Sequence, residues 1–78
     1  MTTRMLPEGA YLALEGLKAQ AKACMLPKDE QKPALAAAQL KMMQNDIWTK
    51  TIVKELLKGK NGHTINTIDD QWLEDVFA

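Results

Sequence analysis

An all-α fold is predicted by three features of the 78-residue sequence. Apolar residues recur at helical spacing in three stretches, no long polar–apolar alternation indicates a strand, and prolines or a glycine-rich segment separate the stretches. We therefore expect a helical hairpin from residues 7–25 and 33–58, closed by a short C-terminal amphipathic helix over residues 67–77. In this interpretation residues 1–78 form one small helical domain, with residues 59–66 as a loop leading to an acidic tail, residues 67–78.

The composition is typical of a globular protein with a small core. Apolar residues make up 46% of the chain and charged residues 26%, and a chain of this size buries only roughly 60% of the surface that its unfolded form exposes. Its one cysteine excludes an internal disulfide. We therefore expect oligomerisation, with a homodimer favoured. The apolar runs are far shorter than the ~20 residues of a membrane span, and the N-terminus has no signal-peptide pattern. We therefore expect a soluble cytoplasmic protein with no membrane contact.

The first helix is predicted to begin at Pro7, whose missing N–H costs nothing in a first turn. Gly16 and several alanines leave this helix thin, so that a second helix can approach it closely. A buried structural thiol, not a nucleophile, is predicted for Cys24, because it ends the apolar seam. That seam has the heptad spacing 4, 3, 4, 3 and comprises Ala10, Leu14, Leu17, Ala21 and Cys24.

The connector LPKDEQKP separates the first two helices. Pro27 disfavours helical geometry at the preceding leucine, and Asp29 is a candidate N-cap. Pro33 is expected in or just before the first turn of the second helix, which runs to about Lys58 and stops at Gly59.

The apolar stripe of the second helix changes face partway along. Two interpretations fit this change: one continuous helix with different neighbours on successive faces, or a break near Asn45 with Asp46 capping a separate helix. We favour the continuous helix because the QND stretch contains no glycine or proline. Both interpretations require more than one contact surface, so we expect the homodimer to pack mainly through this helix. The first stripe comprises Ala36, Leu40, Met43 and Ile47, and the second Ile52, Val53, Leu56 and Leu57.

The acidic tail is predicted to form an amphipathic helix, with Thr67 as N-cap and Asp70 in the capping-box position. Residues 1–60 carry ten basic and six acidic residues, for a net charge of +4, whereas residues 61–78 carry four acidic residues and no base, for −4. This asymmetry predicts attraction between tail and body, within one chain or between two chains. The sequence leaves open which of these applies.

Residues that could carry catalysis or hold a cofactor are few. His63 and Cys24 are the only histidine and cysteine, so one chain cannot build a zinc site from those ligands. GKNGH lacks the spacing of a phosphate-binding loop, and Asp69 with Asp70 is explained by helix capping. The sequence therefore predicts a protein that is not an enzyme, with no catalytic, cofactor-binding or metal-binding residues.

A lysine stripe offers a possible nucleic-acid-binding face: Lys50, Lys54 and Lys58 lie four residues apart, and Lys60 follows. The expectation for such a stripe is a solvated helix face. The scarcity of arginine, present only as Arg4, argues against base reading. A third possibility is that the stripe receives the acidic tail.

The leading prediction for function is a non-enzymatic interaction protein: a small adaptor, inhibitor or regulator that occupies a surface on a larger partner. Small chains of this kind are common among bacteriophage and mobile-element products, which is a base-rate argument only. The alternative is a nucleic-acid-binding regulator that uses the lysine stripe of a dimer.

Core positions are expected for the methionines Met25, Met42 and Met43. The predicted protein-binding residues are the apolar Trp48, Trp72, Leu73, Val76 and Phe77, with the carboxylates Asp69, Asp70, Glu74 and Asp75 steering toward a basic site.

Overall fold

The structure, a computed structural model, describes residues 5–59 and 64–78. These residues form four helices and no strand, which confirms the all-α prediction: α1 (Glu8–Ala23), α2 (Lys28–Gln44), α3 (Asp46–Lys58) and α4 (Asp70–Phe77). Helix α1 packs against the other three helices, and α2 also contacts α3. None of the helices in the described part of the chain combines the length and apolar character that crossing a membrane requires.

Helix α2 starts at Lys28, so the predicted start at residue 33 was wrong. The N-cap is Pro27, whose carbonyl accepts from the N–H groups of Glu30 and Gln31 at 3.0 and 2.9 Å, and not Asp29 as expected. Asp29 lies inside the first turn, where its charge complements the helix dipole. Pro33 lies within the helix on an exposed face, so the carbonyl that its missing N–H leaves unpaired can be solvated.

The continuous second helix was also a wrong prediction, because the chain breaks at Asn45. Asn45 has φ −127° and ψ 45°, outside the α-helical region. Its side-chain amide donates to the Lys41 carbonyl at 3.0 Å, and the Thr49 hydroxyl lies 3.1 Å from the Met42 carbonyl and 3.0 Å from that of Asn45. These side chains take up carbonyls that a continuous helix would pair with its backbone. A glycine or proline is therefore not needed for the break.

The close approach of α1 and α2 takes place at Gly16, which confirms the expectation of a thin first helix. A Cβ atom on Gly16 would lie 2.8 Å from Met42 Cγ and 3.3 Å from the Ala38 carbonyl oxygen.

The buried side of α1 continues along Leu14 and Leu17 but does not reach Cys24, which is exposed. The prediction of a buried thiol was wrong because α1 ends at residue 23 and the chain turns away there.

The acidic tail packs on its own chain. Ile68 and Leu73 have no exposed surface and lie in one core with Tyr11, Leu14 and Ile52. Each such side chain contributes about 1.5–3 kcal/mol by burial. The tail is therefore part of the protomer's architecture.

The N-cap of α4 is Asp69, not Thr67 as predicted. Asp69 Oδ1 accepts from the Trp72 N–H at 3.0 Å. Thr67 instead closes the preceding turn, where its hydroxyl lies 2.9 Å from the Thr64 N–H and 3.0 Å from the Thr64 carbonyl. The shift by two residues makes Asp70 the first residue of the helix, so its predicted capping-box position was wrong. Its charge still complements the helix dipole, as expected.

Two polar contacts join the tail to α1. The Tyr11 hydroxyl accepts from the N–H groups of Met5 and Leu6, at 3.1 and 3.2 Å, and donates to Glu74 Oε1 at 3.0 Å. The Lys18 ammonium donates to the Ile68 carbonyl at 2.7 Å. Tyr11 thus links the segment before α1 to α4, with its hydroxyl acting as both acceptor and donor.

Candidate protein-interaction surface

A row of large apolar side chains lies on the outside of α2 and the start of α3. Leu40, Met43 and Ile47 are 59%, 74% and 81% exposed, and Ala36 precedes them on the same face. The four residues follow each other at spacings of 4, 3 and 4, which is the spacing of a coiled-coil seam. We call these four residues the outer seam.

The outer seam exists because α2 is apolar on two sides. Its inner side, with Ala38 and Met42, packs against α1 near Gly16. Between residues 33 and 45 the only charged residue is Lys41, which is half-buried and faces a groove shared with Lys18 of α1. A surface helix usually carries charges opposite its core-facing stripe, and a helix that is apolar all round is usually buried. The outer side of α2 therefore has the composition of a contact surface.

Shallow hollows flank Met43 on two sides. One, of about 210 Å³, is lined by residues that include Gln39, Met42 and Thr49. The other, of about 340 Å³, is lined by residues 43–48 and brings Met43 and Ile47 to one depression despite the break at Asn45. Each hollow has room for side chains of another protein, since the volume of one side chain is smaller than either.

The predicted tail anchors are divided between core and surface. Leu73 is fully buried, so it has no surface to offer a partner in this structure. Val76 is 41% exposed. Trp72 and Phe77 are half-buried and stand edge to face, with ring centroids 6.3 Å apart, and Trp48 contacts Phe77 in the same way at 5.6 Å. The three rings form one partly covered cluster where α3 meets α4.

The tail carboxylates are largely engaged by the fold. Asp69 caps α4, Glu74 accepts from Tyr11, and Asp75 accepts from the Gln71 side-chain amide at 3.0 Å. Asp69 and Asp70 also line a groove of about 590 Å³ together with lysines of α1 and α2, namely Lys18, Lys22 and Lys41. The start of the acidic tail therefore lies beside lysines of α1 and α2.

The lysine stripe is exposed, and two of its members have acidic neighbours on their own helix. Lys50 lies 3.0 Å from Asp46, and Lys58 lies 3.8 Å from Glu55. Lys54 is exposed between them, and Lys60 lies outside the described residues. Exposed pairs of this kind contribute only about 0.3–0.5 kcal/mol, but they reduce the positive field of the stripe.

In the described ranges, residues 5–59 and 64–78, no group of three histidine, cysteine, aspartate or glutamate side chains is placed to hold a metal ion. His63 lies outside those ranges.

The architecture defines a small all-α protein in which α2 and the start of α3 present an apolar seam outward. No protein-family model matches the chain, and no curated protein or solved structure matches it.

Sequence reasoning did not name the outer seam among the site residues, although it grouped these four residues on one face. It placed Met25 and Met43 in the core, and both are exposed, at 82% and 74%; only Met42 packs against the core. The signal that could have identified the seam is the near absence of charge between residues 33 and 45, on a helix with apolar residues on both sides.

Proposed function

We propose that this protein is a non-enzymatic protein–protein interaction module, a small adaptor, inhibitor or regulator that works by covering a surface of another chain. The observation that carries the proposal is the outer seam, in which three large apolar side chains stand more than half exposed. On α2 the stretch from residue 33 to 45 carries one charge, Lys41 on another side, and Asp46 flanks the α3 end of the seam. Single exposed apolar residues are normal on protein surfaces, whereas a contiguous row of them marks a contact site.

The seam can contribute useful but limited binding energy. Full burial of one such side chain is worth about 1.5–3 kcal/mol, so covering Leu40, Met43 and Ile47 from their present exposure gives roughly 3–6 kcal/mol. A dissociation constant of 1 μM corresponds to about 8 kcal/mol. The seam alone therefore falls short of a micromolar contact, and the entropic cost of association adds to the shortfall, so groups outside the seam must contribute as well.

The aromatic cluster of Trp48, Trp72 and Phe77 is a second contact region in this proposal. It adjoins Val76, which is 41% exposed, and the exposed carboxylate of Asp75. Tryptophan is enriched among the residues that dominate binding energy. Because the rings already cover one another, they have less surface to offer than the seam.

The alternative of a nucleic-acid-binding regulator has less support. Its lysine stripe remains exposed, but Asp46 and Glu55 lie beside two of the three lysines and weaken the field that would attract phosphates. A cytoplasmic location is part of the leading proposal. Its support is the exposed free thiol of Cys24, which is typical of a reducing compartment.

The proposal is tested by placing a photo-crosslinking amino acid at position 43 in the cells that carry the chain. The matched control places the same amino acid at position 25, because Met25 and Met43 are the same residue type and similarly exposed. We expect a discrete adduct from position 43 and none of that mass from position 25. Equal labelling from both positions, or no adduct from position 43, would refute the outer seam as a contact surface.

A further inference from the structure

We propose that the outer seam is covered by a second copy of this chain, with the two α2 helices packed antiparallel. This inference deepens the proposed function and depends on the same surface. It names the occupant of the seam from the charge along α2 and α3, from the area that is exposed, and from the small residues at the start of the seam.

The middle of the seam favours a second copy of this chain as the partner, because two copies meeting there would not bring like charges together. Apart from Lys41, which faces the groove on the α1 side, residues 33–45 are uncharged. The residues flanking the seam include Gln39 and Gln44, which are exposed amides able to donate and accept hydrogen bonds. Two copies can therefore meet there without like-charge repulsion.

The ends of the seam favour the antiparallel arrangement. Asp29 is exposed, seven residues before Ala36, so it lies on the seam side of α2. Lys50 and Lys54 follow Ile47 by three and seven residues and lie on its side of α3. The start of α2 also carries Lys32, which is exposed four residues before Ala36. In an antiparallel pair Asp29 of one α2 lies near Lys54 of the other copy, and Lys32 lies near Lys50, whose charge Asp46 of its own helix offsets at 3.0 Å. A parallel pair would place lysine beside lysine and acid beside acid.

A dimer interface of standard size would cover a small share of this chain's surface. An interface of standard size covers ~800 Å² of each partner, which is about one-seventh of the 5584 Å² that this chain exposes. Residues 33–44 of α2 span about 18 Å along the helix axis. The alanines at positions 36 and 37 are exposed and let a partner helix approach closely at the start of the seam. We therefore expect self-association that depends on concentration.

The test measures the mass of the chain in solution, by sedimentation or by light scattering after size exclusion. The protein concentration is varied from about 10 μM to about 1 mM. The protomer mass is 8.7 kDa, so a dimer has twice that, 17.4 kDa. We expect the natural chain to approach the dimer mass as concentration rises. A chain that stays at 8.7 kDa throughout this range overturns the inference.

Matched variants locate the interface. Met43→Glu places a carboxylate in the seam and should raise the dissociation constant about 100-fold or more. Met25→Glu makes the same chemical change at a similarly exposed position and should leave the dissociation constant unchanged. Leu40→Gln provides a second seam variant, and circular dichroism shows whether each variant keeps its helices. A dimer that survives both seam variants overturns the inference.

The orientation is tested by charge exchange. Asp29→Lys and Lys54→Asp should each weaken self-association about 2- to 5-fold, and the double variant should restore it. Failure of the double variant to restore association overturns the antiparallel arrangement. A monomeric natural chain that still gives a discrete adduct of another mass from position 43 would overturn this inference while leaving the proposed function in place.

Discussion

Replacing Gly16 by alanine sets helix propensity against packing at the crossing of α1 and α2. In an open helix position this change stabilises by about 0.8–1 kcal/mol, because alanine loses less backbone entropy on folding. At Gly16 the new Cβ would lie 2.8 Å from Met42 Cγ and 3.3 Å from two backbone atoms of α2, the Ala38 oxygen and the Met42 nitrogen. The end of a flexible side chain could move aside, but the two backbone atoms cannot move unless α2 shifts.

Overpacking of a filled site costs about 1–3 kcal/mol, so packing outweighs propensity and we expect a net loss of about 1 kcal/mol. For a domain of this size such a loss lowers the Tm by about 4–8 °C. The assay is urea and thermal unfolding followed by circular dichroism and tryptophan fluorescence, at one fixed protein concentration since self-association would also change stability.

Ala19→Gly is the control, because position 19 is exposed on the same helix and reports propensity without the crossing. We expect it to lose about 1 kcal/mol. If Gly16→Ala instead raises the free energy of unfolding by about 1 kcal/mol, the two helices do not cross this closely and the packing described for α1 is refuted.

Three further outcomes follow from the structure. Tyr11→Phe removes a hydroxyl that bonds Met5, Leu6 and Glu74 and should cost about 1–3 kcal/mol in unfolding free energy; an unchanged urea midpoint would show that this hydroxyl does not join the tail to α1. Leu73→Ala should cost roughly 2–5 kcal/mol because the site is fully buried, whereas a change below about 0.5 kcal/mol, the range of surface substitutions, would show that the tail is a free arm. In gel shifts at low salt we expect no binding of DNA or RNA by the natural chain; binding that is lost when Lys50, Lys54 and Lys58 become Gln would favour the nucleic-acid-binding alternative.

The helical class could be predicted from periodicity, but the helix ends could not. The start of α2 was misplaced by five residues because Pro33 resembles a boundary, whereas Pro27 caps the helix and Pro33 is tolerated on an exposed face. The break at Asn45 depends on side-chain hydrogen bonds from Asn45 and Thr49 to carbonyls, which propensity does not register. Both errors concern local competition for backbone groups.

The tail shows what periodicity alone leaves undecided. Its apolar stripe was identified correctly, but a stripe that packs on its own chain and one that docks on a partner have the same pattern. The complete burial of Ile68 and Leu73 resolves this in favour of the chain's own core. The outer seam illustrates the opposite error. The same kind of pattern placed Met43 in the core, whereas this face is exposed in the protomer.

The most direct test of the central claim, that the outer seam serves contact with another chain and not the fold of the protomer, is the unfolding free energy of one triple variant. The variant carries Leu40→Gln, Met43→Gln and Ile47→Gln and is measured with the natural chain at a low, fixed concentration. We expect the two to agree within about 1.5 kcal/mol, since exposed substitutions away from structural features usually change stability by no more than about 0.5 kcal/mol each. A loss of several kcal/mol, comparable to that of Leu73→Ala, would show that these side chains belong to the protomer's core and would contradict the claim.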